Sequence, residues 1–343
     1  MNLPFSIRFD KKAFFSLAVA IPLAAALLYF ALRGVDLVQV WERLCSANRL
    51  LVVAGFLILS LAYAVRALRW QLLLNAEGSL RFDTVFWAMS LGYLGNNLLP
   101  ARMGELVRTG VIAWKGRIGA PFVLVTALTE RLLDAGALVL VASIALATVP
   151  AMPEWLRHAA LGLSVGALAG VAALAVLPRI EPFLLRCVGA LPGLGRLRKR
   201  LQSLTSQLLL GMRPLHHTGR AAGFTFFTAI IWSLDTVVAL ALARSMSIEM
   251  SPMAAIIVLA ALGLASSLPS TPGYLGIYQF VAVSVLPPFG VAAAAALAFV
   301  LLLQAVIYLV SIVFGVAGVF ALGGTRGAGA EQSSGEPVSP QPM

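Results

Sequence analysis

Asn96-Asn97-Leu98-Leu99-Pro100-Ala101-Arg102-Met103-Gly104-Glu105-Leu106-Val107-Arg108 interrupts an apolar stretch that runs from Thr84 to Lys115. Proline has no amide proton to give a helix and glycine costs it backbone entropy, so Pro100 and Gly104 divide the stretch into two short arms. A hydrocarbon core of about 30 Å needs about 20 helical residues at about 1.5 Å each, and arms of about 11 to 17 residues fall short of that. The reading is a re-entrant helix hairpin over about 84–115.

A second apolar stretch, Pro252 to Leu286, is broken in the same manner at Leu268-Pro269-Ser270-Thr271-Pro272-Gly273, giving a second hairpin over about 252–286. Both breaks read Leu-Pro-x-x-x-Gly. Pro100 to Pro269 and Gly104 to Gly273 are each an interval of 169 residues, close to half of the 343-residue chain. Three crossings lie between the hairpins, so the second enters from the opposite face, and an inverted repeat is expected.

Outward from the two breaks, uninterrupted apolar runs occupy Ala13–Leu32, Leu50–Leu68, Ala120–Val149, His158–Leu177, Ala221–Ala243 and Val291–Leu322. The expectation is an all-α polytopic membrane protein: six full crossings plus two re-entrant hairpins, filling residues 1–322. Arg8, Lys11 and Lys12 before the first run resemble the start of a signal peptide. The run is about 20 residues with no small-x-small site and polar mature chain after it, so it reads as a retained first helix.

Composition agrees. Hydrophobic residues make up 60% and charged ones only 11%, against about 25% charged in soluble domains, and the mean hydropathy is +0.93. A soluble enzyme, a coiled coil and a disordered chain are excluded. The net charge of +11 is an orientation signal: with the N-terminus inside, 17 basic residues fall on the inner side and five on the outer. Eight of the inner ones lie between Arg179 and Arg220, the expected cytoplasmic loop. That loop either grips anionic lipid heads or a lipid-modifying cytoplasmic enzyme, or is an ordinary positive-inside loop. The basic residues are not interleaved with aromatics, so nucleic acid is not an expected partner. Residues 323–343, rich in Gly, Ser, Pro and Glu, read as a disordered cytoplasmic tail.

Ionisable and polar groups inside apolar segments are costly and mark function. Three clusters qualify. The first is Asn96, Asn97, Pro100, Arg102, Gly104, Glu105 and Arg108. Its arginines offer planar donor forks suited to phosphate, and Glu105 stands three residues from Arg108 on one helix face. It is either an anionic lipid headgroup site or a charge-paired hairpin that anchors the fold. The second is Glu130, Arg131 and Asp134, whose two carboxylates at i and i+4 repel unless a cation or proton lies between them. Arg131 neutralises Asp134, or Arg102 or Arg108 reaches across; the cluster is a coupling site for transport or a structural salt-bridge network. Asp235 stands alone in its crossing, and is expected to face a cavity shared with the other two clusters.

The second break carries hydroxyls and no charge. Ser270 and Thr271, with Pro272, Gly273 and Gly276, either hold a phosphate or sugar or form a tight turn that satisfies its own backbone. Arg66 and Arg69, followed by Trp70, read as interface anchors that snorkel, with recruitment of an anionic lipid head as the lesser reading. No catalytic motif, nucleotide loop or cofactor fingerprint is present, and no cofactor is expected. Cys45 and Cys187 have no partner spacing, and His216 and His217 have no acidic or thiol neighbours, so neither a disulfide nor a metal site is expected.

In the ordered set NNLLPARMGELVR, Glu130-Arg131-x-x-Asp134 and PSTPGYLGIYQ, the chain resembles the lysylphosphatidylglycerol synthase/flippase membrane-domain family over roughly residues 10–322. The family's Asn-x-x-Pro-x-Arg-x-Gly-Glu motif falls on Asn97, Pro100, Arg102, Gly104 and Glu105, and its Pro-Gly-x-x-Gly motif on Pro272, Gly273 and Gly276. The resemblance implies a multi-pass protein of a bacterial-type inner membrane that moves a lipid or lipid-linked headgroup between leaflets. Well-known members add an aminoacyl transferase domain. About 20 residues follow the last crossing here, so lysine transfer by this chain alone is not expected. The rival expectation is a membrane glycosyltransferase, or its accessory subunit in a glycolipid, polyprenol-linked sugar or hopanoid pathway, with Glu130, Asp134 or Asp235 as acid or base.

Overall fold

The computed structural model describes residues 11–99, 103–147, 217–266 and 272–323, with isolated positions between 158 and 211. Among them there is no strand. The described helices, numbered in chain order, are α1 (Lys11–Leu32), α2 (Leu37–Cys45), α3 (Arg49–Leu74), α4 (Phe82–Leu98), α5 (Gly104–Gly116), α6 (Ala120–Ala147), α7 (Thr218–Ser245), α8 (Pro252–Ala265), α9 (Ile277–Val285) and α10 (Ala293–Gly323). The expected crossing His158–Leu177, most of the loop 179–220 and the tail beyond Gly323 lie outside the described residues.

Helix limits follow local chemistry. The Asp36 carboxylate accepts from the Val38 and Gln39 amides to start α2, and Asn48 caps α3 through the Leu50 and Leu51 amides. Ser251 caps α8, with Pro252 in the first turn where its missing N–H costs nothing. Both breaks fall where proline and glycine put them. α4 stops at Leu98 and α5 restarts at Gly104. After α8, a tight turn over Pro272–Tyr274 precedes α9, with Gly273, Tyr274 and Gly276 all at positive φ.

α3, α7 and α10 are long and apolar enough to cross a membrane. α6 matches them in length at 28 residues but carries Glu130, Arg131 and Asp134. Large apolar side chains such as Leu50, Phe226 and Phe320, 80%, 62% and 74% exposed, cover the outer faces. Such a surface is paid for in lipid and not in water. The chain is therefore a multi-pass helical membrane protein. Between α1 and α2 the chain bends by 88°, which turns α2 across the end of the bundle with Val40 buried and Trp41 exposed.

The helices recur at a fixed interval. α3 begins at Arg49 and α7 at Thr218, and α5 ends at Gly116 and α9 at Val285, both 169 residues apart. α3 and α7 pack antiparallel: Gly55 meets Leu242, Gly223 meets Leu72, and the Asn48 amide donates to the Ser245 carbonyl at 2.7 Å. The hairpins are exchanged between the halves, since α4 packs on α10 and α8 on α6. The larger core lies among α3, α7, α8 and α10, where alanines such as Ala239, Ala243, Ala254, Ala255 and Ala296 allow close helix approach. A smaller one gathers around Trp70, from α3 to α6.

Candidate functional site

Three helices of the first half bring charge to one place. On α3, Tyr63, Arg66 and Trp70 recur at helical spacing, with Arg69 on the flank of the same face. α6 supplies Glu130 and Asp134 at i, i+4, and α5 supplies Glu105 and Arg108 at i, i+3. Arg69 lies between the two α6 carboxylates. Its Nη2 donates to Glu130 Oε1 at 2.7 Å and Asp134 Oδ2 at 2.8 Å, and its Nη1 to Asp134 Oδ1 at 2.7 Å. The remaining Nη1 hydrogen bond, 2.9 Å, goes to Thr228 Oγ1 on α7. Arg108 Nε stands 2.6 Å from Glu105 Oε2 and its Nη1 3.3 Å from Glu130 Oε2, while its guanidinium lies 4.5 Å from the Trp70 ring centre. Arg131 donates to Glu105 Oε1 through Nη2 at 3.0 Å. Signs alternate along the whole cluster, which is the geometry of a salt-bridge network.

Two readings made from the sequence are overturned. Arg66 and Arg69 are not snorkelling anchors: the Arg69 side chain is 2% exposed and Arg66 pairs with Asp235, Nη2 to Oδ2, at 2.5 Å. Asp134 is neutralised by Arg69 and not by Arg131. The Arg69 fork spans both Asp134 oxygens, whereas Arg131, about 100° further around α6 than Glu130, is turned toward α5 and Glu105. The pairing of Glu105 with Arg108 across one turn is present.

A cavity of ≈ 270 Å³ opens beside the network. Asn96 and Asn97 from α4, Glu105 from α5, Arg131 and Asp134 from α6, and Arg66 and Asp235 from α3 and α7 form its polar wall. Aromatic rings form much of the rest: Tyr63, Tyr93, Trp232, Tyr274 and Tyr278, the last two stacked at 5.0 Å. Leu59, Leu262 and Leu303 continue the lining as an apolar surface. Asp235 thus shares a cavity with residues of both other clusters.

Arg108, Glu130 and Gly104 are not part of this wall. Gly104 serves the hairpin itself, since a Cβ there would stand 1.9 Å from the Gly92 carbonyl oxygen of α4. Pro100, Arg102, Ser270 and Thr271 lie outside the described residues. At the second break Gly273 and Gly276 also stand off the cavity, with Tyr274 between them lining it. The Gly273 carbonyl accepts from Gln304 Nε2 at 2.6 Å and from the Tyr308 hydroxyl. Gln279 donates to Gln304 at 2.7 Å and accepts from the Gly276 amide at 2.7 Å. The turn's backbone is met by amide side chains of α9 and α10.

Sequence reasoning passed over Arg66 and Arg69, the cavity aromatics and the two glutamines. Four carboxylates had been set against three membrane arginines, Arg102 among them, and that surplus of acid was the signal for further cations. Among the described residues Arg66, Arg69, Arg108 and Arg131 face Glu105, Glu130, Asp134 and Asp235, so the cluster is balanced. No group of three His, Cys, Asp or Glu suited to a metal occurs among the described residues.

No curated protein matches the chain. The profile of the family described as "Lysylphosphatidylglycerol synthase TM region" matches residues 14–315, most of the chain and both broken helix pairs, and the protein belongs to that family.

Proposed function

We propose that the chain is a lipid transporter of the inner membrane that moves an anionic or phosphate-linked headgroup between leaflets, with its N- and C-termini cytoplasmic. The observation that carries this reading is the cavity: arginines, carboxylates, asparagines and aromatic rings surround a space within a body whose outer faces are apolar. A headgroup fits the polar wall while its acyl chains stay in lipid. Arg131, 38% exposed at its side chain, and Arg66 are the cavity cations, and Arg102 of the family motif is proposed to join them. The two halves act as inverted repeats that rock about the α3–α7 contact and open the cavity to each leaflet in turn. The interval of 169 residues and the exchanged hairpins support this. The paired, buried state of Glu130 speaks against its use as a glycosyltransferase acid or base.

The test is movement of a fluorescent short-chain phosphatidylglycerol in proteoliposomes. The wild-type chain is expected to transfer it. Arg131→Gln is expected to slow transfer at least about tenfold, a barrier change of about 1.4 kcal/mol, with the melting temperature in detergent showing a folded protein. An unchanged rate in the variant removes the site assignment, and no transfer by the wild type removes the reading for this lipid class.

A further inference from the structure

Arg66 and Asp235 occupy equivalent places in the two halves, 169 residues apart, where α3 and α7 cross. Of the described ion pairs it is the one that joins the halves; the others tie the first half to itself. Its geometry also differs. Arg69 engages both oxygens of Asp134, whereas Arg66 touches Asp235 through one nitrogen and one oxygen. Arg66 Nη1 and Asp235 Oδ1 are buried without a hydrogen-bond partner. Both side chains line the cavity and are 18% and 13% exposed, against 2% for Arg69 and Arg108.

Resting on the transport reading above, we propose that Arg66 is the residue that binds the headgroup phosphate and that Asp235 stands in for the phosphate oxyanion until a lipid arrives. The pair is thereby a latch between the halves that the headgroup releases. An arginine held at one prong keeps its charge satisfied in a low-dielectric site yet leaves its second prong idle. A phosphate oxygen pair matches the whole fork and displaces the single-point carboxylate. Exchanging one anion for another spares the cost of uncovering a bare buried cation. Once displaced, Asp235 has no other cation close on its own helix, since Arg220 and Arg244 lie more than about two turns away at the ends of α7. Repulsion between the phosphate on α3 and the released carboxylate on α7 then pushes the halves apart. The contacts left across the interface near the cavity, Arg69 to Thr228 and Tyr63 to Ser311, carry no second ion pair.

Two readouts test this. Spin labels at Leu106→Cys on α5 and Met253→Cys on α8, both exposed positions, report the distance between the hairpins in a Cys45→Ser, Cys187→Ser background. In the wild type a second distance population is expected only when phosphatidylglycerol is added. In Asp235→Asn it is expected without lipid, and the charge-exchanged Arg66→Asp, Asp235→Arg protein is expected to return to a single distance. Binding of fluorescent phosphatidylglycerol is expected to tighten about tenfold in Asp235→Asn and to weaken at least about tenfold in Arg66→Gln. Equal weakening in both variants would make the pair a structural staple and overturn the latch. No binding by any of these proteins overturns the phosphate assignment. Failure of wild-type transfer with these shifts intact would remove transport and leave the latch. Normal transfer by both single variants would remove the latch and leave transport.

Discussion

The two broken helix pairs share a backbone plan and differ in chemistry. Gly104 and Gly273 open equivalent helical segments, yet Glu105, Arg108, Glu130, Arg131 and Asp134 of the first half face Tyr274, Ile277, Phe299, Val300 and Leu303 of the second at the same interval. One hairpin is pinned by an alternating chain of charges and the other by two glutamines and a tyrosine. Burying ion pairs is a poor way to gain stability, because desolvation offsets much of the attraction, and the second half shows that neutral groups suffice to hold this shape. The charges of the first half are therefore kept for what they do beside the cavity.

The largest expected effect follows from the asymmetry. Arg69→Ala leaves Glu130 and Asp134 four residues apart on one helix face without the cation between them, and a loss of about 3–5 kcal/mol is expected. The melting temperature of the purified protein in detergent measures it. Adding Glu130→Gln and Asp134→Asn to Arg69→Ala should recover much of the loss; no recovery would mean that the packing of Arg69, 4.7 Å from the Phe224 ring, matters more than its charge.

Next come the two glycines, which the shared Leu-Pro-x-x-x-Gly pattern treats as equals. A Cβ at Gly104 meets the Gly92 carbonyl, a backbone atom of a helix that cannot give way. At Gly273 it meets the Tyr308 side chain, which can move, though φ there is +71°. Gly104→Ala is expected to cost more than Gly273→Ala, about 3 kcal/mol against about 1–2 kcal/mol, the second figure being mainly left-handed strain. A reversed order in thermal unfolding would mean that the hairpins do not pack as the comparison requires.

The breaks, their interval and the membrane class were legible because proline, glycine and hydropathy act locally and leave periodic traces. Glu105 with Arg108 was legible for the same reason, being one turn apart on one helix. The partners of Arg69 and Arg66 were not. Arg69 meets Asp134 and Arg66 meets Asp235 across 65 and 169 residues, and nothing in the neighbourhood of either arginine distinguishes a snorkelling anchor from a buried one. Only the unbalanced charge inside the membrane pointed to them. The cavity aromatics left still less trace, since a tyrosine on an apolar helix reads as core or interface alike.

The smallest expected effect lies in the neutral hairpin. Gln304 donates to the Gly273 carbonyl and accepts from Gln279, so Gln304→Leu removes two hydrogen bonds from the second break. Hydrogen bonds between membrane helices are worth about 0.6 kcal/mol on average, and the Tyr308 hydroxyl still reaches the Gly273 carbonyl, so about 1–2 kcal/mol is expected. Because Tyr274 borders the cavity from this turn, the same variant should also slow transfer of phosphatidylglycerol less than Arg131→Gln does. Equal slowing would mean that the neutral half shapes the cavity as much as the charged half, and the division of labour between a chemical half and a scaffold half would fall.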